Sequence, residues 1–323
     1  MKSGRKTFIR TEFFLGILVL ISIGFIIYNR TLDRTERIAV IVPDIDGGQR
    51  AAFQYGLKAA AQEFDVNIVL INKENLETMD DEVEAVAKEI EKGVDGIILQ
   101  PITNSGEESR IKQVIGKVPI MIVGDSFVKD GSSIFQTIEP DHYQMGVDLA
   151  KKLLEDYNGN LSGKTIGIYS QKSDSTALCK REEGVIDTLK ESGAEILWSV
   201  SKEDASKEVV NLQTQRKVNI VIALDNDSLV EAGESAVQND LYGALIYGIG
   251  NSAEAIYYLD SRWVECVIVP DEFDAGNQSV AELVRRLRKR YYTMQNHEVA
   301  YTVLTRENLF LKENQNLLFT ISQ

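Results

Sequence analysis

IAVIV (38–42), GLKAAAQEF (56–64) and NIVLI (67–71) fall within one stretch of 34 residues, and that stretch decides the fold class. Two apolar runs of strand length flank a helical pattern from Gln49 to Phe64, so the segment reads strand, helix, strand. Downstream, Val83, Val86, Ala87 and Ile90 fall at i, i+3, i+4 and i+7, one face of a helix, ahead of the next apolar run, GIIL (96–99). Further strand candidates are PIMIV (119–123), TIGIY (165–169), IVIAL (220–224), ALIYGI (244–249) and CVIV (266–269). Strands this apolar are expected to be covered on both faces, as in parallel sheets with helical crossovers. A second block of the same kind opens near Gly163, after the turn-rich DYNGNLSGK (156–164), which predicts two α/β lobes.

The composition agrees with a globular chain. Its 323 residues correspond to roughly two domains. With 44% hydrophobic and 26% charged residues it is neither disordered nor a multi-pass membrane protein. A net charge of -14 argues against a duplex nucleic-acid binder, which gains affinity by neutralising phosphates. Cys179 and Cys266 are too few for a disulfide framework and read as small buried residues. His142 and His297 are the two histidines and no Cys/His cluster accompanies them, so neither zinc nor any other cofactor is expected.

The N-terminus adds a membrane element. FFLGILVLISIGFIIYN (13–29) carries no charge and is close to the roughly 20 residues of a spanning helix. Lys2, Arg5, Lys6 and Arg10 precede it, which predicts a cytoplasmic tail over 1–12 and export of everything after the span. IIYNRTLDRTER offers neither a small-residue cleavage site nor a lipoprotein cysteine, so an uncleaved anchor is expected. Residues 1–37 hold seven basic and three acidic side chains, which leaves 28 basic and 46 acidic in 38–323, a net charge of -18.

Ligands on open α/β sheets bind outside the carboxyl ends of the strands. The residues that follow the predicted strands are polar there: Asp44 and Asp46, Gln100, Asp125, Asp225 and Asn226, Asn251 and Asp271.

GVDGIILQPI (93–102), VPIMIVGDS (118–126), TIEPDHYQMGVDLAKKLLE (137–155), KREEGVIDTLKESG (180–193) and ALDNDSLVEAGESAV (223–237) then follow one another in a familiar order and spacing. Over about 38–305 the chain resembles the type I periplasmic sugar-binding proteins, typified by ribose- and galactose-binding proteins and by the ligand-binding core of lactose-repressor-like regulators. The resemblance implies two doubly wound parallel-sheet lobes, 38–140 plus 271–299 and 141–270 plus 300–323. They would be joined by three hinge strands near Pro140, Pro270 and Ala300, with a last strand near 299–305. It also implies that Arg181, three residues before Gly184, reaches into the cleft, where its fork of donors can span two ligand oxygens. Asp225 and Asn226 stand where the family usually has Asn-Asp, with helix capping as their alternative role. Asp125 lies one residue past the usual aspartate, whose slot is Gly124, and Asn251 is the nearest polar substitute where Gly250 replaces another. Gln49 and Arg50 replace the aromatics that stack on neutral sugars. Phe53, Phe127, Tyr143, Tyr169 and Phe273 are the alternative platform, each with core packing as its competing role.

The expected ligand set is thus Asp46, Gln49, Arg50, Gln100, Asp125, Asp141, Arg181, Asp225, Asn251 and Asp271, around a small polar ligand. A polyhydroxylated neutral carbohydrate comes first and an anionic sugar second. The chain is expected to do no chemistry. It would close on its ligand as a monomer and present it to an ABC permease, or to a sensor kinase or chemoreceptor of the same membrane. The anchor, which limits diffusion, suits sensing. One alternative is a haloacid-dehalogenase-like phosphatase, with PDIDGG (43–48) and GDSFVKD (124–130) supplying Asp44 as nucleophile, Asp46 as acid/base and Asp125 as magnesium ligand. Another takes GIGNSA (248–253) as a dinucleotide-binding turn, against the simpler reading of a glycine turn lining the cleft. The basic run Arg285, Arg286, Arg288, Lys289 and Arg290 either complements a helix dipole or docks on headgroups or a partner.

Overall fold

Every strand candidate named above becomes a strand, because each offers consecutive side chains that can be buried alternately on the two faces of a sheet. In the computed structural model, residues 16–20, 22, 35–42, 50–71, 78–102, 107–127, 133–171, 175–201 and 208–321 are described. Arg37–Ile41 (β1) shows the principle. Ile38 and Val40 join one hydrophobic cluster, while Ala39 and Ile41 join another on the opposite face. All four are fully buried.

The first lobe continues through Ala51–Phe64 (α1), Asn67–Ile71 (β2), Met79–Glu91 (α2), Gly96–Leu99 (β3), Glu107–Ile115 (α3), Ile120–Val123 (β4) and Gln136–Glu139 (β5). The second is built from His142–Asp156 (α4), Thr165–Ser170 (β6), Thr176–Leu189 (α5), Glu195–Ser201 (β7), Glu208–Gln215 (α6), Ile220–Ala223 (β8), Asn226–Val237 (α7), Leu245–Ile249 (β9), Ala253–Asp260 (α8) and Cys266–Pro270 (β10). Glu272–Arg288 (α9) and the short His297–Glu298 (β11) return to the first lobe, and Tyr301–Thr305 (β12) to the second. The chain ends in Gln315–Ile321 (α10).

The two six-stranded sheets run β11-β5-β4-β3-β1-β2 and β12-β10-β9-β8-β6-β7. The first is parallel throughout. The second is parallel except for β12, which runs antiparallel to β10 with Pro270 opposite Tyr301. The chain passes between the sheets after Glu139, after Pro270 and between Glu298 and Tyr301. These passages are tied together, since Asp271 N donates to Ala300 O (2.9 Å) and Val299 N to Glu139 O (3.2 Å).

Two helix pairs stand beside the cleft end of the sheets, α1 with α9 and α4 with α5. Each meets backbone to backbone at glycines. A Cβ on Gly56 would lie 2.0 Å from Phe273 O, and one on Gly146 would lie 2.0 Å from Arg181 O. The helix 79–91 differs from expectation in phase. Its buried line is Glu82, Ala85, Val86 and Glu89, with Val83 and Ile90 half-buried beside it. Glu82 turns inward because its carboxylate accepts the backbone N–H of Ile102 at 2.8 Å, a bond that apolar periodicity cannot announce.

Of the expected anchor, 13–29, only 16–20 and 22 are described. Among the described residues no helix is long and apolar enough to cross a membrane.

Candidate functional site

Parallel strands put all their carboxyl ends at one edge, and the helices that follow them begin there. The polar residues between strand and helix therefore gather from both lobes. Arg50, which precedes α1, donates through Nη2 to Gln100 Oε1 (2.5 Å) and stands 3.8 Å from the Glu272 carboxylate. With Gly124, Pro140 and Asp271 these three line a cavity of 10 Å3, room for one water molecule but not for a monosaccharide.

Asp125 is one point at which the lobes touch through polar groups. It is 7% exposed, and both of its carboxylate oxygens are engaged by the second lobe. Oδ2 accepts from Ser175 Oγ at 2.6 Å and Oδ1 from the Ala177 N–H at 2.9 Å, as well as from the neighbouring Ser126 N–H at 2.8 Å. Ser175 is the N-cap of α5, its Oγ accepting from Leu178 N, so Asp125 completes the cap from the other lobe. A carboxylate suits the place, since the first N–H groups of a helix lack internal partners and carry partial positive charge.

Arg181, on α5, is held from two sides. Nη1 donates to Leu224 O (2.7 Å) and Nε to His142 Nδ1 (3.3 Å). For Nδ1 to accept, the imidazole must be neutral with its one proton on Nε2, and burial lowers the His142 pKa in the direction of the neutral form. Burial also pulls the Arg181 guanidinium down, against Asp225 of its own lobe and Asp125 and Glu272 of the other. One cation thus sits among carboxylates drawn from both lobes.

Asp225 caps α7: Oδ1 accepts from Ser228 N (2.7 Å), and Oδ2 from Gln171 N (2.8 Å). Its neighbour Asn226 accepts through Oδ1 from the N–H groups of Asn251 (3.1 Å) and Ser252 (3.0 Å). Asn226 Nδ2 is buried and has no partner among the described residues, leaving a donor available at the strand ends. Asp271 caps α9 through Asp274 N (2.9 Å) and lines the cavity. Asp141 caps α4 through Gln144 N (2.9 Å) but is exposed and not part of the cavity lining.

The structure therefore brings Arg50, Gln100 and Asp271 to one cavity and gathers Asp125 and Asp225 around Arg181. Asn251 joins through its backbone, and Asp141 stays at the surface. Asp46 and Gln49 lie outside the described residues, as does Asp44. Sequence reasoning gave His142 no role at the site, because nothing links a histidine to an arginine 39 residues on. It placed Asn226 beside Asp225 without listing it as a ligand. Of the candidate aromatics, Phe53 lines the cavity and is also core. Phe127 packs in the first lobe, Tyr169 is buried and donates to Glu231, Tyr143 donates to Asp187, and Phe273 stacks on Tyr55.

Neither enzymatic alternative is favoured by this geometry. The N–H groups a dinucleotide would need in GIGNSA are taken by Asn226. Asp125, the expected magnesium ligand, is spent on α5, and α1 occupies the place where the phosphatase fold requires a hairpin. No group of His, Cys, Asp and Glu among the described residues is arranged to hold a metal.

Residues 38–290 match the family model described as a periplasmic binding protein domain. No curated protein matches the sequence. Among solved structures, GanP, a glucose-galactose binding protein from Geobacillus stearothermophilus, is 18% identical with a TM-score of 0.75, over 86% of this chain and 100% of that one. A carbohydrate transporter solute binding protein from Agrobacterium radiobacter, in complex with D-arabinose, is 15% identical with a TM-score of 0.79, over 88% and 99%. The XylFII-LytSN complex contains a chain 14% identical with a TM-score of 0.72, over 85% and 99%.

Proposed function

Because the chain belongs to the periplasmic binding protein domain family, we propose that it binds a sugar or sugar derivative between its two lobes, without transforming it. The observation that carries this reading is Arg181, fixed by His142 and Leu224 and within the field of carboxylates from both lobes. A guanidinium so fixed can donate to two ligand oxygens at once, and Asn226 Nδ2 adds a further donor. A ligand that contacts both lobes shifts the molecule toward its closed form, and that form is what a partner reads. The glucose-galactose binding protein and the neighbour in complex with D-arabinose support a carbohydrate of that size. A neutral polyhydroxylated ligand comes first, because carboxylates outnumber cations at the strand ends.

The chain is placed in the membrane by the apolar run 13–29, with its N-terminus cytoplasmic and the lobes outside. Its partner is an ABC permease or a sensor kinase. The solute-binding neighbour from Agrobacterium radiobacter favours the first and the XylFII-LytSN complex the second.

The test is calorimetry on the full chain with D-arabinose, D-galactose, D-fucose and D-galacturonate. One of them binds to the wild type. Arg181→Ala loses about 2–5 kcal/mol, a drop of roughly 30- to 5000-fold, with an unchanged circular dichroism spectrum. Wild-type affinity in that variant would place Arg181 outside the site. Turnover of p-nitrophenyl phosphate with magnesium, lost in Asp44→Asn, would replace the reading with the phosphatase.

A further inference from the structure

We propose that the end of the first lobe opposite the cleft is a docking surface for anionic lipid headgroups, formed by Arg286, Lys289, Arg290 and Tyr291. The proposal rests on the reading of 13–29 as a membrane anchor. Helix α9 begins beside the cleft, where Glu272 lines the cavity, and runs away from it. Its last residue, Arg288, donates through Nη2 to Phe64 O (2.7 Å), the final residue of α1. Three residues later β2 starts, with Asn67 paired to Arg37 at the start of β1. The basic run therefore lies at the end where the chain enters the lobe.

The helix dipole explains only part of that run. Arg285 is paired with the buried Glu282, and Arg286 and Arg288 occupy the last turn, where cations face the free carbonyls. Lys289 is the C-cap, and Arg290 and Tyr291 lie beyond the helix altogether. Tyr291 is 91% exposed, and the Arg290 guanidinium carbon lies 5.9 Å from its ring centroid. An exposed tyrosine beside basic side chains suits a membrane interface, where the ring and the aliphatic stems enter among headgroups that neutralise the charges. Arg37, Lys92 and Lys117 belong to the same end. Glu63, Asp65, Glu91 and Asp95 stand there too, Asp95 accepting from Arg37 N at 2.9 Å. Glu36 stands there as well and Lys92 is paired with Glu89, so the surplus of cations at this end lies in the run Arg286, Lys289 and Arg290, in a part of the chain that carries -18 overall.

The connection has the right length. Residues 30–36 separate the apolar run from β1. Seven residues span at most about 25 Å when fully extended. A lobe tethered that closely meets the bilayer at high effective concentration, and a polybasic segment beside an anchor is drawn to anionic lipid.

The experiment uses the full chain in nanodiscs of phosphatidylcholine, with or without added phosphatidylglycerol. An NBD fluorophore is attached at Tyr291→Cys in a Cys179→Ser background. Cys266 stays unlabelled, because burial pushes its thiol up to about 12. NBD emission is expected to rise and shift to the blue only in the anionic discs, and to return to the neutral-disc value at raised salt. Replacing Arg286, Lys289 and Arg290 together by Gln should weaken docking about 100-fold. Co-migration with both discs but identical emission would overturn the docking surface alone. Failure of the chain to co-migrate with either disc would overturn the anchor, and the docking surface with it.

Discussion

His142 is buried at the start of α4, with one ring nitrogen accepting from Arg181 and the other 3.6 Å from Glu139 Oε2. Burial holds its folded pKa below the ordinary 6.5. Below pH 6.5 the unfolded chain therefore takes up a proton that the folded chain resists, and stability falls with pH through that window. Stability from this group is complete above 6.5 and is lost as pH drops toward the lowered folded pKa. The Tm of the full chain should thus fall on going from pH 7 to acid, and His142→Gln should flatten the dependence between 6.5 and the folded value. An identical pH profile in the variant would show that His142 does not stay neutral in the fold. The same substitution should weaken ligand binding without abolishing it, because Leu224 O still holds Nη1 of Arg181.

At the scale of elements, two glycine contacts set the helix spacing beside the cleft. Gly146 on α4 faces the Arg181 carbonyl, and Gly184 on α5 faces the Tyr143 carbonyl. In the other lobe Gly56 and Gly276 make the matching pair with Phe273 and Phe53. Any side chain there would push helix backbones apart and carry Arg181 with them. Gly146→Ala should destabilise by about 1–3 kcal/mol, lowering Tm by roughly 2–4 °C per kcal/mol, and should also weaken binding. Gly96→Ala is the comparison, since the nearest atoms to its Cβ would be side-chain carbons, of Leu283 at 3.4 Å and Ile38 at 3.8 Å. Equal Tm values for the two variants would contradict the close helix contact. The elements sequence reading missed are of a different kind. Glu195–Ser201 sits at the edge of its sheet with Glu195, Ser199 and Ser201 exposed, so it never forms a continuous apolar run. Gln136–Glu139 has one buried residue, Ile138, and is held mainly by its backbone ladder.

For the whole molecule, the Asp125 bonds to Ser175 and Ala177 join the two lobes across the cleft. Hydrogen bonds to a charged group contribute about 1.5–3 kcal/mol each, enough to move an open-to-closed equilibrium by one or more powers of ten. Asp125→Ala should shift the protein toward an open form. Electron–electron resonance distances report this when nitroxides are placed at Glu63→Cys, exposed on α1 of the first lobe, and Glu195→Cys, exposed at the start of β7 of the second, again in Cys179→Ser. A longer and broader distance distribution is expected in Asp125→Ala. Superimposable distributions would mean that other contacts hold the lobes together. Ligand affinity in the variant should fall as well, because less of the population starts in the competent shape.

Most of the order of strands and helices was decided by the sequence alone, because burial on both faces of a parallel sheet demands short apolar runs such as IAVIV, GIIL and CVIV. The polar character of the strand ends was legible for the same reason, since apolar runs stop where the sheet edge meets solvent. Which of those polar groups face a ligand was not legible. Asp125, Asp141, Asp225 and Asp271 look alike in sequence, yet one latches the lobes, one caps a helix at the surface, one is shared with Gln171 and one lines the cavity. That division depends on contacts between residues as far apart as Asp125 and Ala177 or Arg181 and Leu224, and only packing two lobes against each other brings such groups within bonding distance. Carboxylates spent on helix N-termini leave Arg181 and Asn226 among the donors at the strand ends, an arrangement created by the tertiary structure.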